Sequence, residues 1–75
     1  MSRTVLHSFE NFDHDRCVDV FRREDGSFGF ESFRRDPEGG GRWFAIGNFG
    51  EETFEDREAA VLSARRRVSW FDELT

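Results

Sequence analysis

The residues best suited to chemistry lie close together near the start of the chain. His7, Asp13, His14, Asp15 and Cys17 fall within eleven residues, and imidazole, carboxylate and thiolate groups are the side chains that bind zinc. His14-x-x-Cys17 is a spacing found in zinc sites, but a structural zinc normally takes four ligands from two such pairs, and this segment has one. We therefore predict no metal ligand and no cofactor, and expect a polar loop that precedes a strand.

A thiol and an imidazole so close in sequence also suggest nucleophilic catalysis. Residues three apart at the start of a strand point in unrelated directions, so His14 and Cys17 do not form a nucleophile and its base by spacing alone. Gly39-Gly40-Gly41 lacks the following Lys and the helix start of a phosphate-binding loop. A chain of 75 residues also has little volume for a pocket that excludes water. The sequence predicts no catalytic residues and no enzyme activity.

Composition limits the chain to one small domain. It has 75 residues, 36% of them charged, and a formal net charge of -5. The single cysteine cannot form an internal disulfide, and the apolar runs are too short to span a membrane, so we expect a cytoplasmic protein with no membrane partner. Ten Phe and two Trp are a large aromatic content for so few residues. Those side chains must pack against each other or against a partner.

Two strands are predicted by alternating apolar and polar residues, over 17–24 and 28–35. A two-residue turn at Asp25-Gly26 would place Phe21 opposite Phe30. A three-residue turn with Gly26 in the left-handed region instead places Val20 opposite Phe30 and Val18 opposite Ser32. We choose the longer turn, because it gathers four apolar side chains on one face. They are Val18, Val20, Phe28 and Phe30.

The rest of the chain predicts a third strand and a helix. A six-residue loop over 36–41 is too short for a parallel crossover, so the third strand, over 42–49, runs antiparallel to the second. Either Phe44 and Ile46 or Trp43 and Ala45 face the core. Helical spacing predicts a helix from residue 57 to about residue 71, with Asp56 as its N-cap.

These elements predict an α+β fold. We expect a three-stranded antiparallel β-meander with one C-terminal α-helix packed on one face, in the order β-β-β-α, as a single domain over residues 17–75. Residues 1–16 form a lead-in segment that packs on the sheet or is exchanged in a dimer.

The sheet face away from the helix, here the helix-free face, is predicted to carry a cluster of aromatic side chains. Such a cluster is unusual on a solvated face, so it needs a cover. The cover is the lead-in with Leu6, Phe9 and Phe12, a second copy of the chain in a homodimer, or another protein or ligand. Aromatic side chains beside arginine are typical of binding hot spots, which favours a non-catalytic interaction domain. The candidate binding residues are Phe21, Arg23, Glu31, Phe33, Arg35 and Trp43.

Nucleic acid is the alternative partner. Three strands with a packed helix resemble in architecture the plant ethylene-response-factor DNA-binding domain and the integrase arm domains, with a Phe-x-x-x-x-Ala-Ala run from Phe54 to Ala60. That resemblance implies phosphate and base contacts from the sheet. Sixteen acidic residues against eleven arginines oppose phosphate attraction, so this function ranks second. The residues it would use are Arg22, Arg23, Arg34, Arg35, Arg42 and Trp43.

The central stretch has a resemblance of its own. His14–Arg35, followed by Asp36-Pro37-Glu38, is similar to a small group of bacterial hypothetical proteins. The similarity implies a free-standing bacterial protein and carries no activity with it.

Overall fold

Four antiparallel strands, one α-helix and a short 3-10 helix at Phe49–Glu51 make up the structure, a computed structural model that describes residues 3–36, 40–47 and 49–71. The strands lie side by side in chain order, and the helix follows them. Their bounds are β1 Arg3–Glu10, β2 Arg16–Arg23, β3 Phe28–Arg35, β4 Trp43–Ile46 and α1 Arg57–Arg67. The predicted α+β class is confirmed, and the predicted number of three strands is wrong by one.

The additional strand comes from the lead-in segment. Residues 3–10 pair antiparallel with β2 along its edge and do not lie across a sheet face. A β-bulge between Val5 and His7 adds one residue, Leu6, to β1. Because a bulge shifts the alternation of side chains between the two faces, the apolar residues of this segment do not alternate in sequence. Exchange of the lead-in between two chains stays a prediction.

The hairpin of β2 and β3 has the predicted register. Val20 lies opposite Phe30 and Val18 opposite Ser32. Gly26 closes the turn with φ 88°, in the left-handed region that a three-residue turn requires of its last residue. Asp25 supports this turn, because its Oδ1 accepts a hydrogen bond from the backbone N–H of Ser27 at 2.9 Å.

The register of β4 decides between the two alternatives for the third predicted strand. Ile46 lies opposite Ser32, and Phe44 lies opposite Arg34, so the even-numbered residues of β4 face the helix side. Trp43 and Ala45 therefore belong to the helix-free face. β4 is shorter than predicted, and residue 48 at the end of the predicted strand lies outside the described residues, as do residues 37–39 and 72–75.

The core lies between the sheet and α1. Val18, Val20 and Phe30 are fully buried there and pack against α1 and the turn that follows it. The helix contributes Ala60, Ala64 and, after its last turn, Val68 and Phe71.

The flanking residues explain where α1 begins and where it ends. Asp56 is the N-cap, as predicted, and its Oδ1 accepts from the N–H of Ala59 at 2.8 Å. The helix ends at Arg67, earlier than predicted, because Val68 takes an extended conformation. Phe71 stays buried although it lies beyond the helix. In the part of the chain that the structure describes, no helix combines the length and the apolar character that a membrane span needs.

Candidate binding face

All six residues proposed from the sequence lie on the helix-free face, and the structure divides this face into two parts. The first, the Phe21 end, comprises Arg3, Phe21, Arg23 and Glu31. The second, the Phe33 end, comprises Ser8, Glu10, Cys17, Asp19, Phe33 and Trp43.

Phe21 is completely covered, with 0% of its surface exposed. The Cζ atoms of Arg3 and Arg23 lie 4.2 Å and 4.9 Å from the centroid of its ring. The ring also lies over Gly29, where an added Cβ would come within 2.9 Å of two ring carbons. The cover of Phe21 is thus supplied by one arginine of β1 and one arginine of β2. The apolar cover expected from the lead-in is not found, because Phe9 packs against Phe71 on the helix side and Phe12 is 84% exposed.

Arg23 and Glu31 use their polar groups within the chain. The Nη2 of Arg23 donates to the backbone carbonyls of Gly50 at 2.5 Å and Glu52 at 3.1 Å. Glu31 accepts from Arg3 at 2.5 Å. We therefore interpret Phe21, Arg23 and Glu31 as residues that stabilise the fold.

The Phe33 end is open. Its six residues line a shallow concavity of about 260 Å³, in which Phe33 is half-buried and Trp43 is 38% exposed. Arg35 lies beside it, with its Cζ 4.8 Å from the centroid of the Trp43 ring. Arg35 also donates to the carbonyl of His14 at 2.5 Å. Of the predicted residues, Phe33 and Trp43 are the two that face this concavity.

Two carboxylates border the aromatic rings of the concavity. The Oδ1 of Asp19 accepts from the hydroxyl of Ser8 at 2.5 Å and from the thiol of Cys17 at 3.2 Å. Both donors are uncharged. The Oε2 of Glu10 lies 2.6 Å from Nδ1 of His14, an imidazole that is charged only when protonated. No guanidinium among the described residues pairs with Asp19.

Cys17 is held as a neutral thiol. Its burial is the main cause that raises the pKa of the thiol to about 12, and the hydrogen bond to Asp19 and the nearby negative charges add to it. A thiol with this pKa carries almost no thiolate at neutral pH, and the thiolate is the nucleophilic form. At neutral pH the thiol of Cys17 is therefore a poor nucleophile.

The stability of the domain is expected to fall as the pH rises from about 9 to about 12. Below pH 9.0, the ordinary pKa of the thiol, Cys17 is protonated in both the native and the unfolded chain. Above it the unfolded chain loses a proton that the native chain keeps. The free energy of unfolding therefore falls with rising pH, with a slope that corresponds to the release of up to one proton per molecule on unfolding. The chain has neither Tyr nor Lys, so no other side chain titrates in this range.

Urea unfolding at several pH values measures this effect. Cys17→Ser keeps a donor for Asp19 but does not ionise. It should remove most of the decrease in the free energy of unfolding with rising pH. An equal alkaline loss of stability in wild type and variant would contradict the assignment.

His14 and Cys17, the pair considered for metal binding, contact different residues. His14 sits in the turn between β1 and β2 with φ 57° and contacts Glu10, whereas Cys17 is buried in β2 and contacts Asp19. Within residues 3–36, 40–47 and 49–71 no group of three His, Cys, Asp or Glu side chains could hold a metal ion.

Sequence reasoning missed Ser8, Glu10 and Arg3 as residues of this face. They belong to β1, whose bulge hides the strand pattern, so their position beside β2 could not be inferred. Asp19 alternates with Val18 and Val20 in the predicted strand and so belongs to this face, but its role depends on Ser8, a donor from β1. Comparison of the chain with protein-family models, with curated proteins and with solved structures finds no match.

Proposed function

We propose that this protein is a non-catalytic binding domain whose contact surface is the Phe33 end of the helix-free face. The observation that carries the proposal is the difference between the two ends of this face. Phe21 is covered completely from within the chain, whereas Phe33 and Trp43 remain partly open in a concavity. Partly exposed aromatic rings inside a polar rim are typical of the centres of protein interfaces.

The size of the concavity favours a side chain of a protein partner over a small molecule. Its volume of about 260 Å³ is close to the lower limit of the range of about 300–1,000 Å³ that is usual for small-molecule sites. It is also shallow, whereas such sites enclose most of their ligand. One inserted side chain, with neighbouring contacts on the sheet, suits this shape.

Catalysis and nucleic-acid binding find less support. Cys17 contributes a protonated thiol to the concavity and not the thiolate that acts as a nucleophile. Of the arginines considered for phosphate contacts, Arg22 and Arg34 lie opposite Phe28 and Phe44 on the helix side of the sheet, and Arg23 is engaged by backbone carbonyls. These arginines do not form one basic surface, and a net charge of -5 repels phosphate.

The test is a selection of random peptides against the folded domain, followed by affinity measurements with two variants. Trp43→Ala is expected to lower the affinity for the selected peptides about 30-fold or more, which is the effect of losing an aromatic hot-spot residue. Phe44→Ala is the matched control, because Phe44 is the next residue of β4, is 47% exposed and faces the other side. It should change the affinity less than about twofold.

Melting temperatures show whether both variants remain folded. Peptides whose affinity does not depend on Trp43 would overturn the proposed surface. Tight, salt-sensitive binding of single-stranded or duplex DNA would favour the nucleic-acid alternative.

A further inference from the structure

The Phe21 end shows which chemical group this face accepts. There the ring of Phe21 lies under the guanidinium of Arg3 at 4.2 Å, and Arg3 is paired with the carboxylate of Glu31 at 2.5 Å. The arrangement consists of an aromatic ring, a planar cation over it and a carboxylate that binds the cation. Each part stabilises the guanidinium, through the ring quadrupole and through a charge-assisted hydrogen bond.

At the Phe33 end, Phe33 and the nearby carboxylates repeat the ring and the acid of this arrangement, without a cation over the Phe33 ring. Phe33 is a half-buried ring beside the carboxylates of Asp19 and Glu10. No arginine of the described residues lies over Phe33, although guanidinium groups lie over Phe21 and Phe49 elsewhere in the domain and over Trp43 at the rim of the same concavity. The hydrogen-bond donors to Asp19 are neutral, so its charge is available to a ligand.

We propose that the concavity at the Phe33 end binds an arginine side chain from a basic segment of a protein partner. The guanidinium would stack on Phe33 and donate to Asp19, with Glu10 adding a second negative charge. Arginine suits this site better than lysine because its planar group both stacks on a ring and donates in a fork to a carboxylate. This inference rests on the proposed function and names the chemistry of its partner.

The charge of the whole domain agrees with a basic partner. Sixteen acidic residues and eleven arginines leave a net charge of -5, which attracts basic segments and speeds their association. Arg35, the basic residue beside the concavity, is already held against Trp43 and the carbonyl of His14. It therefore leaves the carboxylates at the other side of the concavity accessible.

The experiment is an NMR titration of the intact domain with acetyl-Gly-Arg-Gly-amide. Acetyl-Gly-citrulline-Gly-amide is the control ligand, because citrulline has nearly the shape of arginine without its charge. We expect the arginine peptide to shift the signals of residues 8, 10, 19, 33 and 43 and to bind about fivefold or more tightly than the citrulline peptide. Equal binding of the two peptides, or shifts elsewhere on the domain, would overturn the inference.

Two matched variants separate a specific site from general attraction. Asp19→Asn can still accept from Ser8 and Cys17 but lacks the charge, and it should weaken the arginine peptide about fivefold or more. Glu58→Gln removes the same charge from an exposed position on α1 and should leave the affinity unchanged. An equal effect of both variants would mean that only the net charge attracts the peptide. The melting temperature of each variant reports on its folding.

The selection of random peptides distinguishes failure of this inference from failure of the proposed function. Selected peptides that need Trp43 but contain no arginine would leave the binding face standing and overturn the arginine site. Peptides that bind independently of Trp43 would overturn both. Enrichment of arginine in Trp43-dependent peptides would support both. Concentration-dependent self-association that is lost in Asp19→Asn would make a second copy of the chain the partner, against the separate protein proposed here.

Discussion

Phe30→Ala is expected to lower the free energy of unfolding by about 3–5 kcal/mol, the usual cost of removing a buried Phe side chain. Phe30 is fully buried at the centre of the sheet, opposite Val20. Its ring stacks on Phe49 at 5.0 Å and lies 5.9 Å from Phe54. Truncation would therefore leave a cavity that also removes support from the segment between β4 and α1. For a domain of this size the loss is comparable to its whole stability of about 5 kcal/mol or more.

Urea unfolding followed by circular dichroism measures this loss. Phe44→Ala is the control, because Phe44 is an aromatic residue on the same side of the sheet that is 47% exposed, and it should cost less than about 1 kcal/mol. If Phe30→Ala does not fold, Phe30→Leu gives a smaller loss of about 1–2 kcal/mol that can be measured. A cost for Phe30→Ala below about 1 kcal/mol would show that the centre of the core is misplaced.

The hairpin and the helix start were predictable because local chemistry determines them. Gly26 can adopt the positive φ of a three-residue turn, and that turn sets the pairing of Val20 with Phe30. Asp56 likewise accepts from the third residue of the helix, an interaction that needs only the adjacent sequence. In both cases the residues that decide the structure lie within a few positions of each other.

β1 was not predictable in the same way because its pairing depends on a bulge. Val5 lies opposite Phe21 and His7 opposite Val20, so two steps along β1 match one step along β2. The extra residue shifts which side chains face the core, and the alternation that marks a strand is lost. The ring of His7 stacks on Phe9 at 4.1 Å, and Phe9 packs against Phe71 at 4.8 Å, so these two β1 side chains lie on the helix side. Ser8 and Glu10 lie on the helix-free face.

The division of the helix-free face follows from the same cause. The sequence placed Phe21 and Phe33 together and implied one cover for both. Arg3 reaches Phe21 because β1 begins beside it, whereas the end of β1 brings Glu10 and no arginine toward Phe33. The ring of Phe21 is therefore buried inside the fold, whereas the ring of Phe33 stays partly exposed. Sequence spacing alone cannot predict which ring is covered, because this depends on the bulged register of β1.

Arg23 has the role that sequence reasoning described least well. As a member of an aromatic and arginine cluster it resembled a binding residue, but its guanidinium is a connector inside the chain. It covers Phe21 and donates to the carbonyls of Gly50, Glu52 and Phe28 and to the hydroxyl of Ser27. These partners belong to the turn before β3, to the first residue of β3 and to the segment that leads toward α1. A single side chain thus joins the hairpin to the loop that precedes the helix.

Arg23→Ala is accordingly expected to lower the free energy of unfolding by about 2–4 kcal/mol, because it removes charge-assisted hydrogen bonds and leaves backbone carbonyls without their donor. Arg23→Lys should lose about half as much, since an ammonium keeps the charge but cannot form the planar fork. Arg22→Ala, at the exposed neighbouring position, should stay within about 0.5 kcal/mol of wild type. Urea unfolding measures the loss in all three variants, from the shift of the midpoint at an unchanged dependence of the free energy of unfolding on urea concentration. If Arg23→Ala matched Arg22→Ala, the guanidinium would contribute nothing to holding residues 50–52, and Arg23 would return to the candidate binding residues.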